Sequence, residues 1–69
     1  MDLEKTGELL SRLRKECGMT QKQVAEKLQI SDRTVSKWER GASDPSTSNL
    51  LTLAKLFNTT AEELLREVQ

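Results

Sequence analysis

The chain has no histidine and a single cysteine, Cys17, among its 69 residues. Those shortages remove intrachain disulfides, zinc-finger spacing and every catalytic arrangement that depends on histidine or on paired cysteines. Cys17 reads as a neutral residue near a helix end, the alternatives being redox sensing or an intermolecular disulfide. Apolar residues never run longer than two in a row. Neither a membrane span nor the apolar centre of a signal peptide fits, so the expected compartment is the cytoplasm. Glycine occurs only at positions 7, 18 and 41, which leaves no phosphate-cradling loop. With no nucleophile-base pairing or metal-ligand cluster, the chain is not expected to be an enzyme or to take a cofactor, a metal or a small-molecule ligand. Aromatics are limited to Trp38 and Phe57, too few for a base-stacking platform.

What is present is charge, in balance: eleven basic and eleven acidic residues give a net charge of zero. The distribution is uneven. From Arg12 to Arg40 eight basic residues face four acidic ones, an excess of four, while residues 1–11 and 41–69 each carry minus two. That polarity suits a molecule that turns one face toward phosphates and keeps another repulsive to them. The excess is small, so sequence-independent binding should be weak, with a shallow salt dependence.

Helical spacing runs through the whole chain, and no alternating β-type segment interrupts it. Residues 3–16 carry Leu3, Leu10 and Leu13 on one stripe with Leu9 beside it, closed by Gly18. Thr20 can cap a second helix with Gln23 reaching back as in a capping box, and Met19 and Val24 occupy staple positions. Ser31 repeats the device with Ile30 and Val35, and Gly41 supplies the stop. The two short helices, over about residues 20–40, are joined by about three residues, and neither can persist alone. Val24, Ala25, Leu28, Val35 and Trp38 must therefore dock on each other and on the flanking helices. Ser46 caps a fourth helix with Leu50, Leu53, Ala54 and Phe57 on one face, ending near Asn58. Thr60 with Glu63 offers a capping box for a fifth, with Leu64 and Val68 inward. The whole, residues 1–69, reads as one domain, small enough to need well-matched packing or a partner.

Leu13-Arg14, Gly18-Met19-Thr20-Gln21, Val24-Ala25, Leu28, Ile30-Ser31, the run Val35-Ser36-Lys37-Trp38-Glu39-Arg40-Gly41, Pro45-Ser46, Leu50, Leu53-Ala54 and Leu64 form a distributed pattern. It resembles the Cro/repressor-type (Xre-like) helix-turn-helix family over about residues 6–65. The resemblance implies an all-α, lambda-repressor-like compact bundle of five helices, the second and third forming the helix-turn-helix. It further implies bacterial or phage transcription control, usually by a dimer on a two-fold symmetric operator. Two positions depart from the family pattern. Gln29 stands where the turn usually has glycine, and a positive φ there would strain it by roughly 1 kcal/mol. Thr59 replaces an aliphatic residue and weakens the packing signal of the last helix.

In such a docking the third helix enters the major groove. With Val35 and Trp38 turned inward, the outward residues Asp32, Arg33, Thr34 and Lys37 are the candidate base contacts. Arg33 suits guanine O6 and N7, Lys37 guanine or a phosphate, the Thr34 methyl thymine, and Asp32 a cytosine amine. Asp32 also favours the helix dipole whatever it touches. Gln21, Ser36, Arg40 and Ser43 are the candidate phosphate contacts, which set register without reading sequence. Family resemblance further implies an ion pair between Arg14 and Glu39, linking the first and third helices. Leu51, Leu56 and Leu65 lie off the main inward stripes and are candidate homodimer contacts or, equally, completion of the monomer core. The expected function is a sequence-specific double-stranded DNA-binding transcriptional regulator acting as a repressor. Its operator would be an inverted repeat, with half-sites about one helical turn apart. The competing reading is a protein-interaction module, such as an antitoxin-like partner, disfavoured by the basic outward face.

Overall fold

The computed structural model describes residues 2–59 and Arg66, and these contain four helices and no strand. They are α1 (Leu3–Glu16), α2 (Gln21–Leu28), α3 (Asp32–Glu39) and α4 (Thr47–Leu56). The expectation of a five-helix bundle is therefore corrected to four helices among the described residues. The segment that suggested a fifth, with Thr60, Glu63, Leu64 and Val68, lies outside them. In the sequence that expectation rested on the family resemblance, one capping box and a single i, i+4 apolar pair.

Local chemistry starts and stops every helix. Asp2, Thr20, Ser31 and Ser46 each accept a hydrogen bond from the backbone N–H three residues on, at 3.0–3.3 Å. At Thr20 the box is complete, because the Gln23 side chain accepts from the Thr20 N–H at 2.9 Å. Each helix then closes on a residue in the left-handed region: Gly18, Gln29, Gly41 and Asn58, with φ of 70°, 58°, 75° and 56°. The next N–H turns back to a carbonyl five residues earlier, Met19 to Arg14, Ile30 to Ala25, Ala42 to Lys37 and Thr59 to Ala54, at 2.8–3.1 Å. This repeated closure satisfies carbonyls that a helix end leaves open. Gln29 does adopt the positive φ that glycine would take without strain.

The core joins all four helices through Leu10, Val24, Ala25, Val35, Trp38, Leu53 and Phe57. Leu9 and Ala54 form a second buried group, and Leu13 packs against both. The staple residues Met19 and Ile30 cover the main core from its edge. The fourth helix buries the four residues its periodicity picked out, Leu50, Leu53, Ala54 and Phe57.

The first helix departs from its expected stripe. Leu3 is 37% exposed, whereas Thr6 and Gly7 are buried. The reason is a close crossing with α3. A Cβ on Gly7 would lie 2.5 Å from the Trp38 carbonyl oxygen and 2.6 Å from that of Glu39. Only a residue without a side chain lets the end of α3 sit this low on α1. No helix among the described residues is long and apolar enough to cross a membrane.

Candidate nucleic-acid interface

Three residues, Gln29 to Ser31, separate α2 from α3, so the two helices meet across a sharp corner. Val35 and Trp38, each 3% exposed, hold the inner face of α3 against α1 and α2. That burial leaves the opposite face of α3 to solvent. Asp32, Arg33 and Lys37 are exposed, and Thr34 and Ser36 are half-buried. Arg33 and Lys37, four residues apart, share one helix face. The Thr34 hydroxyl lies 3.2 Å from that of the cap residue Ser31.

A largely buried ion pair joins α1 to α3. Arg14 Nε and Nη2 donate to the two Glu39 carboxylate oxygens at 2.7 and 3.0 Å, a bidentate arrangement. A third Arg14 nitrogen, Nη1, donates to the Met19 carbonyl at 2.8 Å, tying the pair to the entry of α2. The side chains are only 12% and 8% exposed. Burial disfavours the charged form of Glu39 and would raise its pKa. Hydrogen bonds from Arg14, Gln21 and Ser11, with the attraction of Arg14, outweigh burial and hold the carboxyl below its usual range. The hydrogen bond to Glu39 in turn raises Arg14 above its ordinary value.

Gln21 stands at this junction. Sequence placed it among the phosphate contacts at the start of α2. In the structure its side-chain Nε2 donates to Glu39 Oε1 at 3.0 Å, joining the first residue of α2 to the last residue of α3. Sequence reading gave no sign of this bond, because Gln21 and Glu39 lie 18 residues apart. Nor did it single out Gly7, whose role depends on α3 crossing above it.

The remaining candidates lie apart. Arg40 and Ser43 follow α3, the former exposed with a long 3.4 Å bond from its Nε to the Ser36 carbonyl, the latter half-buried in the loop before α4. Leu51 is 51% exposed on α4, whereas Leu56 packs against the core. Leu65 lies outside the described residues.

A helix-turn-helix family model matches residues 10–64, most of the chain. This chain belongs to the helix-turn-helix family. Its relatives include the HTH-type transcriptional regulator ImmR of Bacillus subtilis, 42% identical over 59 residues, which are 86% of this chain and 46% of that protein. The HTH-type transcriptional activator BcrR of Enterococcus faecalis is 41% identical over 58 residues, 84% of this chain and 28% of that protein. The chain thus spans less than half the length of these curated relatives. Among solved structures, it is similar to the P22 c2 repressor protein in complex with synthetic operator 9T. The TM-score is 0.79 at 29% identity, covering 86% of this chain and 89% of that one.

Proposed function

We propose that this chain is the sequence-specific DNA-binding part of a transcriptional regulator, which reads the major groove of double-stranded DNA with α3. The observation that carries the reading is the two-sided character of α3. Val35 and Trp38 anchor it, while Arg33 and Lys37 stand out on the solvent side within the stretch of the chain that holds the positive excess. Likeness to a repressor solved on its operator supports the same docking.

In that docking Arg33 donates two parallel hydrogen bonds to a guanine edge, Lys37 reaches an adjacent base or phosphate, and Thr34 and Asp32 complete the readout. Gln21 and the opening amides of α2, with Ser36, Arg40 and Ser43, hold the backbone and set the register. Two copies related by a two-fold axis bind an inverted repeat, with Leu51 the exposed apolar side chain available to join them. We take the regulator to be a cytoplasmic protein of a bacterium or its phage, in line with the organisms of its relatives, and to repress by occupying the operator. Selection of bound duplexes from a random pool tests this reading. It expects an enriched inverted repeat, and a pool that stays random at moderate and low salt would overturn it.

A further inference from the structure

We propose that Glu39 is a positioning residue for DNA-backbone binding, acting through Gln21, so that the buried pair with Arg14 orients a phosphate ligand as well as bracing the fold. This rests on the DNA-binding reading above. Ionised Glu39 can only accept, so the Gln21 amide must present Nε2 to it, and the 3.0 Å bond fixes which way round the amide sits. One of the two Nε2 hydrogens is then committed inward. The other leaves the same nitrogen at about 120°, the planar amide geometry, on a half-buried side chain at the first position of α2. A phosphate oxygen is also acceptor-only. It needs an N–H, and an amide free to rotate would offer its own oxygen about as often.

The carboxylate is itself held still. Arg14 grips both of its oxygens and also the Met19 carbonyl, one residue before the Thr20 cap. Glu39 is the last residue of α3 and Gln21 the first of α2, so the carboxylate fixes the backbone-binding end of α2 relative to the base-reading helix. Arg14 neutralises the charge that would otherwise repel a phosphate. An ion pair kept only for stability is replaceable by apolar side chains of similar size with little loss. Loss of the Gln21 orientation instead carries a cost that appears only when DNA is bound.

The test is a double-mutant cycle in which Arg14→Met with Glu39→Met is one change and Gln21→Ala the other. The paired substitution leaves net charge unaltered and removes the acceptor for Gln21. The probe is a random-sequence 30-base-pair duplex at low salt, because sequence-independent binding reports phosphate contacts without a known operator. With Gln21 present, the Met pair should weaken binding about fivefold more than it does in the Gln21→Ala background, the size expected for one oriented hydrogen bond. Equal losses in the two backgrounds would overturn the proposal while leaving DNA binding intact. Absence of binding by the unaltered protein would instead refute the functional reading on which it rests. Should the Met pair fail to fold, the side-chain amide protons of Gln21 in the unaltered protein decide by NMR. Both should shift as Glu39 titrates, and adding duplex should move chiefly the proton not bonded to Glu39. A Gln21 amide blind to acid and to duplex would contradict the proposal.

Discussion

Adding one methyl group to Gly7 sets two effects against each other with opposite signs. Gly7 is interior to α1, where alanine is favoured over glycine by about 1 kcal/mol on helix propensity alone. The added Cβ would, however, lie 2.5 and 2.6 Å from the carbonyl oxygens of Trp38 and Glu39 and 2.9 Å from the Glu39 carbonyl carbon. Ordinary contact begins near 3.4 Å, so the gap must widen by most of an ångström. The obstructing atoms are backbone, and α3 is pinned there by buried Trp38 and by the Arg14–Glu39 pair. Neither can swing aside as a flexible side-chain tip would. Overpacking that must displace backbone lies at the upper end of the usual range, about 2–3 kcal/mol. Subtracting the propensity gain leaves a net destabilisation of about 1–2 kcal/mol for Gly7→Ala. For a chain of this length each kcal/mol moves the melting temperature by about 7 °C, so thermal unfolding followed by circular dichroism should show a drop of about 7–14 °C. The exposed neighbour Glu8→Ala is the control for propensity and should change little. An unchanged or higher melting temperature in Gly7→Ala would refute the close crossing of α1 and α3.

Gln29→Gly should raise stability by about 0.5–1 kcal/mol, since it relieves a left-handed residue at φ 58° but loosens the unfolded chain; thermal melts check this, and a loss of stability would contradict it. Glu39 has a lowered pKa in the folded state. Its contribution to stability is therefore complete above the unfolded carboxyl value of about 4.3 and is lost as pH falls through the lower folded value. Denaturant titrations at stepped acid pH should show a steeper acid limb for the unaltered protein than for Glu39→Gln, and identical limbs would contradict the pairing. Leu51→Lys should leave the melting temperature within about half a kcal/mol equivalent while abolishing self-association in sedimentation or cooperative occupancy of two half-sites. Leu56→Ala should instead lower stability by about 1–2 kcal/mol, because Leu56 packs on the core; the reverse pattern would move the dimer contact to Leu56.

Features written within four or five residues of themselves were legible in the sequence. The caps at Thr20, Ser31 and Ser46, the glycine closures at Gly18 and Gly41, and the inward face of α4 all depend on near neighbours and emerged where their chemistry placed them. The strain at Gln29 was legible only through the family resemblance, which puts glycine at that turn position. What escaped depends on contacts between distant segments. Leu3 matched the α1 stripe by spacing, yet the close approach of α3 makes Thr6 and Gly7 the buried positions of the first turns and leaves Leu3 outside. Gln21 read only as a phosphate contact at a helix start, because nothing local reveals a carboxylate 18 residues away. A fifth helix rested on family likeness and a short amphipathic signal, and four are what the described residues contain. The outward set Asp32, Arg33, Thr34 and Lys37 was accessible to sequence reasoning because the buried pair Val35 and Trp38 fixes which side of an eight-residue helix remains.

Whether α3 reads bases from the major groove is tested most directly by guanine N7 methylation interference on a selected duplex, with the unaltered protein and with Arg33→Ala. N7 lies in the major groove, where an arginine fork contacts it. Methylation of particular guanines should block the unaltered protein, and Arg33→Ala should lose that sensitivity at one position in each half-site. Interference that persists unchanged in Arg33→Ala, or binding indifferent to N7 methylation, would contradict the account.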